Sequence, residues 1–377
     1  MAGTMPPAFL IQFSDSNGDP LGLGSVTTYL AGTSTPESVY QNVTLATAFD
    51  NPYTLPASGK MSMFLTPGKS YKFVVKNAAG TTIDTIDNVK AIPEAFQYVC
   101  DGRLTFTTAT PITTADVTGA SATTVYFTPH NGNQLALYNG SSWQLYQFTE
   151  RSIAVPASTA QMYDVFIYDN SGTLTLELEA WTNDTTRAVG RVRQDGVVCK
   201  SGALTRRFLG SFRTTGVSGQ SEDSIAKRYL SNYYHRVPRL LRVTEATNSW
   251  TQNTAAWVQA NASTANQVDV VVCAQEMLLS LTVRGQGRND AGAASTIGVG
   301  IGKDGVTLAS GVVGGVITAF DETGDEAFWL TASLHEYPVD GRHYYTWIDY
   351  GNATSATFIG DNGGTVTQTG IFGWIEG

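Results

Sequence analysis

The chain has 377 residues, 23 Lys and Arg against 32 Asp and Glu, and a formal net charge of −9; 15% of its residues are charged and 42% are hydrophobic. That length suits two or three domains and more than one buried core, while low charge with ample hydrophobicity excludes a disordered chain and a Glu/Lys-rich coiled coil. The 38 glycines among many Thr, Ser and Asn point instead to short strands joined by turns.

The first block, residues 1–98, reads as a small β-domain. Asn17, Gly18, Asp19 and Pro20 mark a turn before a strand at 24–30, and Ser58 with Gly59 marks another before 61–65. Residues 71–76 alternate, and Asn77 and Gly80 signal a hairpin into 82–86. A period near two throughout means sheet. Ala31, Gly32 and Thr33 follow a strand carrying Tyr29; then come Val39 and Tyr40, Leu45, Asn51 and Pro52, Ala57 to Lys60, and Ile86 to Val89. In this order they resemble the N-terminal virion-binding domain of tailed-phage tailspikes and fibres over roughly residues 8–89. The resemblance implies a trimeric β-structure that attaches an appendage to the particle.

The middle block, 99–242, opens with a Thr-rich connector at 105–114 and continues with strands at 123–128, 134–138, 143–148, 163–168 and 174–180. Hairpin signals lie at Asn139 to Ser142 and at Asp169 to Gly172. One helix is expected at 221–236. Ser221 would cap it, Glu222 and Asp223 would suit its positive end, and Ile225, Tyr229, Leu230, Tyr233 and Tyr234 recur at helical spacing before Pro238. Between Arg187 and Arg242 lie twelve Lys and Arg but three acids (Asp195, Glu222, Asp223), so this stretch is +9 and the remainder −18. Arg206, Arg207, Arg213, Lys227 and Arg228 form the candidate basic docking cluster, which would orient subunits against acidic neighbours. Residues 200–234 also resemble a module of tailed-phage virion proteins, which implies context and no chemistry.

The third block, 243–377, shows strands at 268–273, 278–283, 297–301, 328–334, 344–349, 357–360 and 371–375. That density without a helix suggests a sandwich or jelly roll. Residues 338–347, 356–358 and 370–377 resemble the last strands of tumour-necrosis-factor-like and complement-like jelly rolls. In such families three copies pack through aromatic faces, so the resemblance implies a homotrimer; Tyr344, Tyr345, Trp347, Tyr350, Phe358, Phe372 and Trp374 are the interface candidates. Asp321, Glu322, Asp325, Glu326 and Asn362 are the candidate host-contact loop residues, because loops on a rigid β-scaffold carry binding.

Catalytic and metal motifs are scarce. His130, His235, His335 and His343 are dispersed without a metal-ligand spacing, and neither a nucleophile elbow nor a Cys with a nearby His is evident. Asp15 to Asp19 begins like a calcium loop, but Val26 stands where a bidentate Glu is required, which favours a solvated turn. Cys100, Cys199 and Cys273 sit in strand-like runs and are expected as buried free thiols made in a reducing compartment. The start lacks a basic n-region, and its apolar run 8–11 is too short for a signal peptide; no uncharged apolar stretch nears a membrane span.

The expectation is therefore a mainly β, multi-domain, homotrimeric structural protein of a tailed-phage virion, made in the bacterial cytoplasm and needing no metal or cofactor. It would bind other virion proteins of tail, neck or capsid through its N-terminus and present its C-terminal knob to a host surface receptor or glycan. Nucleic-acid binding and membrane insertion are not expected. A capsid decoration or head-fibre protein is the alternative, and an envelope-polysaccharide hydrolase the second, since any two acids can meet in a fold.

Overall fold

The computed structural model describes residues 11–66, 68–91, 96–289, 295–319, 327–351, 356–361 and 368–377. The chain is almost entirely β, and no helix among the described residues reaches seven residues. It divides into two compact units, Met1–Tyr98 and Val99–Gly377.

The first unit is built on a four-stranded antiparallel sheet in the order Tyr53–Thr54, Ser25–Leu30, Ser70–Lys76, Thr82–Lys90. Alternation decides its inner face: Tyr71, Phe73 and Val75 are buried, and Val26, Leu55, Met61, Met63 and Leu65 pack with them. Each such side chain contributes about 1.5–3 kcal/mol when fully buried. At the hairpin, Gly80 takes φ +83° and Asn77 Oδ1 accepts from the Thr81 amide at 2.9 Å, so the turn residues do what their types allow.

The second unit holds the larger sheets. One runs Thr173–Ala180, Met162–Asn170, Ala203–Arg213, Val197–Lys200, Arg191–Gln194, with Leu230–Asn232 also paired to Ala203–Arg213. Two further sheets form a sandwich. Gly341–Gly351 lies between Gln267–Val272 and Ser295–Lys303 in one, and Leu279–Asn289 lies between Gly370–Glu376 and Phe328–Glu336 in the other. Their shared core includes Val270, Val283, Val299, Trp347 and Phe358, and it reaches Phe166 and Phe208 of the first sheet. The division expected at 242/243 falls inside the strand Pro238–Thr244, which pairs with Gly370–Glu376.

The helix expected at 221–236 is absent. This stretch forms the short strands Glu222–Asp223, Lys227–Arg228 and Leu230–Asn232. The capping hydroxyl of Ser221 donates to the Arg213 carbonyl at 2.6 Å instead of to a helix turn. Tyr229, Leu230, Ser231 and Asn232 are buried consecutively, which a helix with one apolar stripe would not allow. Pairing with Ala203–Arg213 and, in parallel, with Gln267–Val272 satisfied the backbone where local propensity would have coiled it.

Candidate functional site

A cleft of about 430 Å³ opens in the second unit, lined by Arg187, Arg191, Arg193, Tyr233, Glu276 and Asp340 among others. Its edge strand is placed by a two-residue hairpin: Gln194 pairs with Val197, and Asp195 and Gly196 both take positive φ (49° and 88°). That is the turn whose twist matches antiparallel strands. Arg191 and Arg193, two apart, share a face of the strand.

Two of the three guanidiniums are tied to acids. Arg187 donates through Nε to Asp164 at 2.7 Å and through Nη1 to Asp340, with its plane 4.0 Å from the Trp181 ring. Arg191 donates to Asp340 and to the Cys273 carbonyl and lies 4.5 Å from the Phe208 ring. Asp164, 1% exposed, also accepts from Trp181 Nε1 (2.9 Å) and Ser211 Oγ (2.6 Å). Arg193 differs. It donates to the Gly196 carbonyl at 2.8 Å and the Tyr233 hydroxyl at 3.2 Å, both neutral, and has no carboxylate partner among the described residues. Nearby, Arg236 and Glu276 pair at 3.4 Å.

The basic docking cluster does not assemble as a surface. Arg206 pairs with Glu177, Arg213 with Asp184, Lys227 with Glu222 and Arg228 with Asp223. Arg207 is buried and donates to the Val99 and Ala136 carbonyls. Much of the +9 of this segment is thus matched inside the chain, partly by acids just outside it.

Nor do the interface aromatics form one face. Tyr345, Trp347 and Phe358 are fully buried in the sandwich core, which removes them from any contact with another chain. Tyr344 lies under Arg342 and Tyr350 packs on Trp257. Phe372 (41% exposed) and the half-buried Trp374 do face outward, and pairing sets Leu240, 64% exposed, opposite Trp374. Asp321, Glu322, Asp325, Glu326 and Asn362 lie outside the described residues.

Among the described residues no group of three or more His, Cys, Asp or Glu could hold a metal. His130 and His235, far apart in sequence, meet with ring centroids 5.5 Å apart but gather no third ligand. Asp15 Oδ1 accepts from the amides of Asn17 and Asp19, so the calcium-like start closes on its own backbone. All three cysteines are buried and free, and burial pushes each thiol up to about 11. No helix among the described residues is long and apolar enough to cross a membrane.

One more buried group went unnoticed in the sequence. Asp349 lies inside the sandwich, where Trp250 Nε1 donates to its Oδ2 at 2.8 Å; burial outweighs that bond and pushes its carboxyl up to about 8. The cleft arginines were missed as well. Their signal was the Arg-Val-Arg alternation at 191–193 beside an Asp-Gly turn.

No family model matches the chain, and no curated protein does. Among matching solved structures is a glycoside hydrolase family 43 arabinoxylan arabinofuranohydrolase from Bacillus subtilis in complex with cellotetraose, at 11% identity and a TM-score of 0.14. The match covers 97% of this chain and 65% of that one; at that score it assigns neither fold nor activity.

Proposed function

We propose that this chain is a non-enzymatic structural subunit of a tailed-phage particle, a short trimeric fibre or spike anchored by its N-terminal unit and presenting its C-terminal sandwich to the host surface. The observation that carries the reading is the outer face of the sheet Pro238–Thr244, Gly370–Glu376, Leu279–Asn289, Phe328–Glu336. Leu240 and Trp374 are paired across neighbouring strands, with Phe372 paired to Arg242 beside them, and Trp329, 46% exposed, lies on Phe328–Glu336 under the Arg284 guanidinium at 4.3 Å. A soluble chain rarely leaves such apolar side chains together on an open sheet unless another surface covers them. Closed symmetric association is the ordinary way to cover them, and the jelly-roll resemblance of the last strands supplies the number three.

Sedimentation equilibrium at micromolar concentration tests this. The expected mass is three chains, falling to one in the double variant Leu240→Glu, Phe372→Glu with its melting temperature retained. A wild-type mass of one chain overturns the trimer. Immunogold labelling of particles separates tail from shell, and label on the capsid would move the role to decoration.

A further inference from the structure

We propose that the arginine-lined cleft is a binding site for an acidic sugar, a ligand of sugar size carrying one oxyanion, either carboxylate or phosphate. The proposal does not rest on the virion reading, since every residue in it belongs to one chain.

Three features of the cleft converge on that chemistry. Arg193 is an exposed cation whose hydrogen bonds go to neutral oxygens, so its charge is uncompensated where Arg187 and Arg191 are each tied to Asp340. A guanidinium in this state presents its remaining N–H groups to a planar or tetrahedral oxyanion. Second, Arg193, Gln275 and Glu276 line the cleft with exposed side chains that offer both hydrogen-bond donors and acceptors, and a polyol is both donor and acceptor. Third, Val192 and Val198 give the cleft apolar walls beside the Tyr233 ring, while Gln275 and Glu276 add polar groups on its rim. Apolar walls with a few polar groups, in a volume of about 430 Å³, suit a small ligand. The two anchored arginines hold the site rigid, because Asp164, Asp340 and the Cys273 carbonyl position them before any ligand arrives.

Isothermal titration of the full chain with glucuronate, glucose 6-phosphate and glucose tests the assignment. Saturable binding of at least one acidic sugar is expected, weakening as salt rises, with glucose at least about tenfold weaker, the factor that one charge-assisted hydrogen bond supplies. Glucuronate alone identifies a carboxylate source, glucose 6-phosphate alone a phosphate source. Arg193→Gln should weaken binding about tenfold or more without moving the melting temperature, because Arg193 is exposed on an edge strand, while Lys90→Gln, in the first unit, should change nothing. No saturable binding of either acidic sugar up to about 10 mM, equal binding of glucose, or binding indifferent to Arg193→Gln overturns the proposal. A single-chain mass in the centrifuge would overturn the trimer and leave this site standing.

Discussion

The ion-paired seam in which Arg187 bridges Asp164 of the strand Met162–Asn170 to Asp340, just before Gly341–Gly351, and the sandwich core around Asp349 bury carboxyl groups in opposite ways. Asp164 is surrounded by donors, and one of them, Arg187, is a cation paired with it. Asp349 accepts from the Trp250 indole and pairs with no cation among the described residues; burial raises its carboxyl to about 8, which keeps it protonated at neutral pH. A buried carboxyl is tolerated when a cation compensates it or when a proton does, and neighbours along the fold decide which.

The largest expected effect comes from unpairing the seam. Asp164→Ala leaves Arg187 with one acid partner fewer and orphans Trp181 Nε1 and Ser211 Oγ, and should cost about 3–5 kcal/mol by urea unfolding. A loss under about 1 kcal/mol would mean that the pair does not hold the seam.

Next is the pH dependence of Asp349. Its carboxyl titrates near 3.8 when unfolded and about 8 when folded, so between those values the folded state binds more protons. Its contribution is therefore fully present below pH 3.8 and is lost as pH rises through about 8, with a slope approaching about 1.4 kcal/mol per pH unit. Asp349→Asn, which keeps an oxygen for Trp250, should flatten this decline between pH 3.8 and about 8 in a series of melts. An unchanged slope would show that Asp349 is ionised in the fold and would erase the contrast with Asp164.

The smallest effect should come from the rim. Glu177 accepts from both Lys200 and Arg206, but these groups are partly exposed. Glu177→Gln should cost no more than about 1 kcal/mol and less at high salt. A loss matching that of Asp164→Ala would mean that position within the fold does not govern the worth of an ion pair here.

Much of the local structure was legible. The alternation of Tyr71, Phe73 and Val75, the turn at Asn77 to Gly80 and the hairpin at Asp169 to Gly172 stand as read, and the three cysteines are buried in or beside strands. The segment 221–236 was misread because Tyr229 and Tyr233 are four apart, a spacing that fits a helix but also arises when successive short strands bury residues on both faces. The interface aromatics were half legible: Phe372 and Trp374 point out as a strand's period allows, but nothing local told that Tyr345, Trp347 and Phe358 fill the interior. The candidate cleft was not legible at all, since Asp340 lies 153 residues from Arg187.

What the sequence determined by itself was the class of the protein: strand periodicity and turn chemistry are properties of a few adjacent residues, and they survive folding unchanged. What only the tertiary structure decided was the fate of charge and of aromatic surface. A net charge of +9 over 187–242 looked like a docking patch because the count stopped at the segment's ends, whereas Asp164, Glu177, Asp184 and Asp340 enter from outside it. Electrostatic pairing depends on distance in space, falling with separation and rising with burial, and sequence proximity carries little of that information. Arg193 is left as the cation in the cleft that no such acid reaches among the described residues.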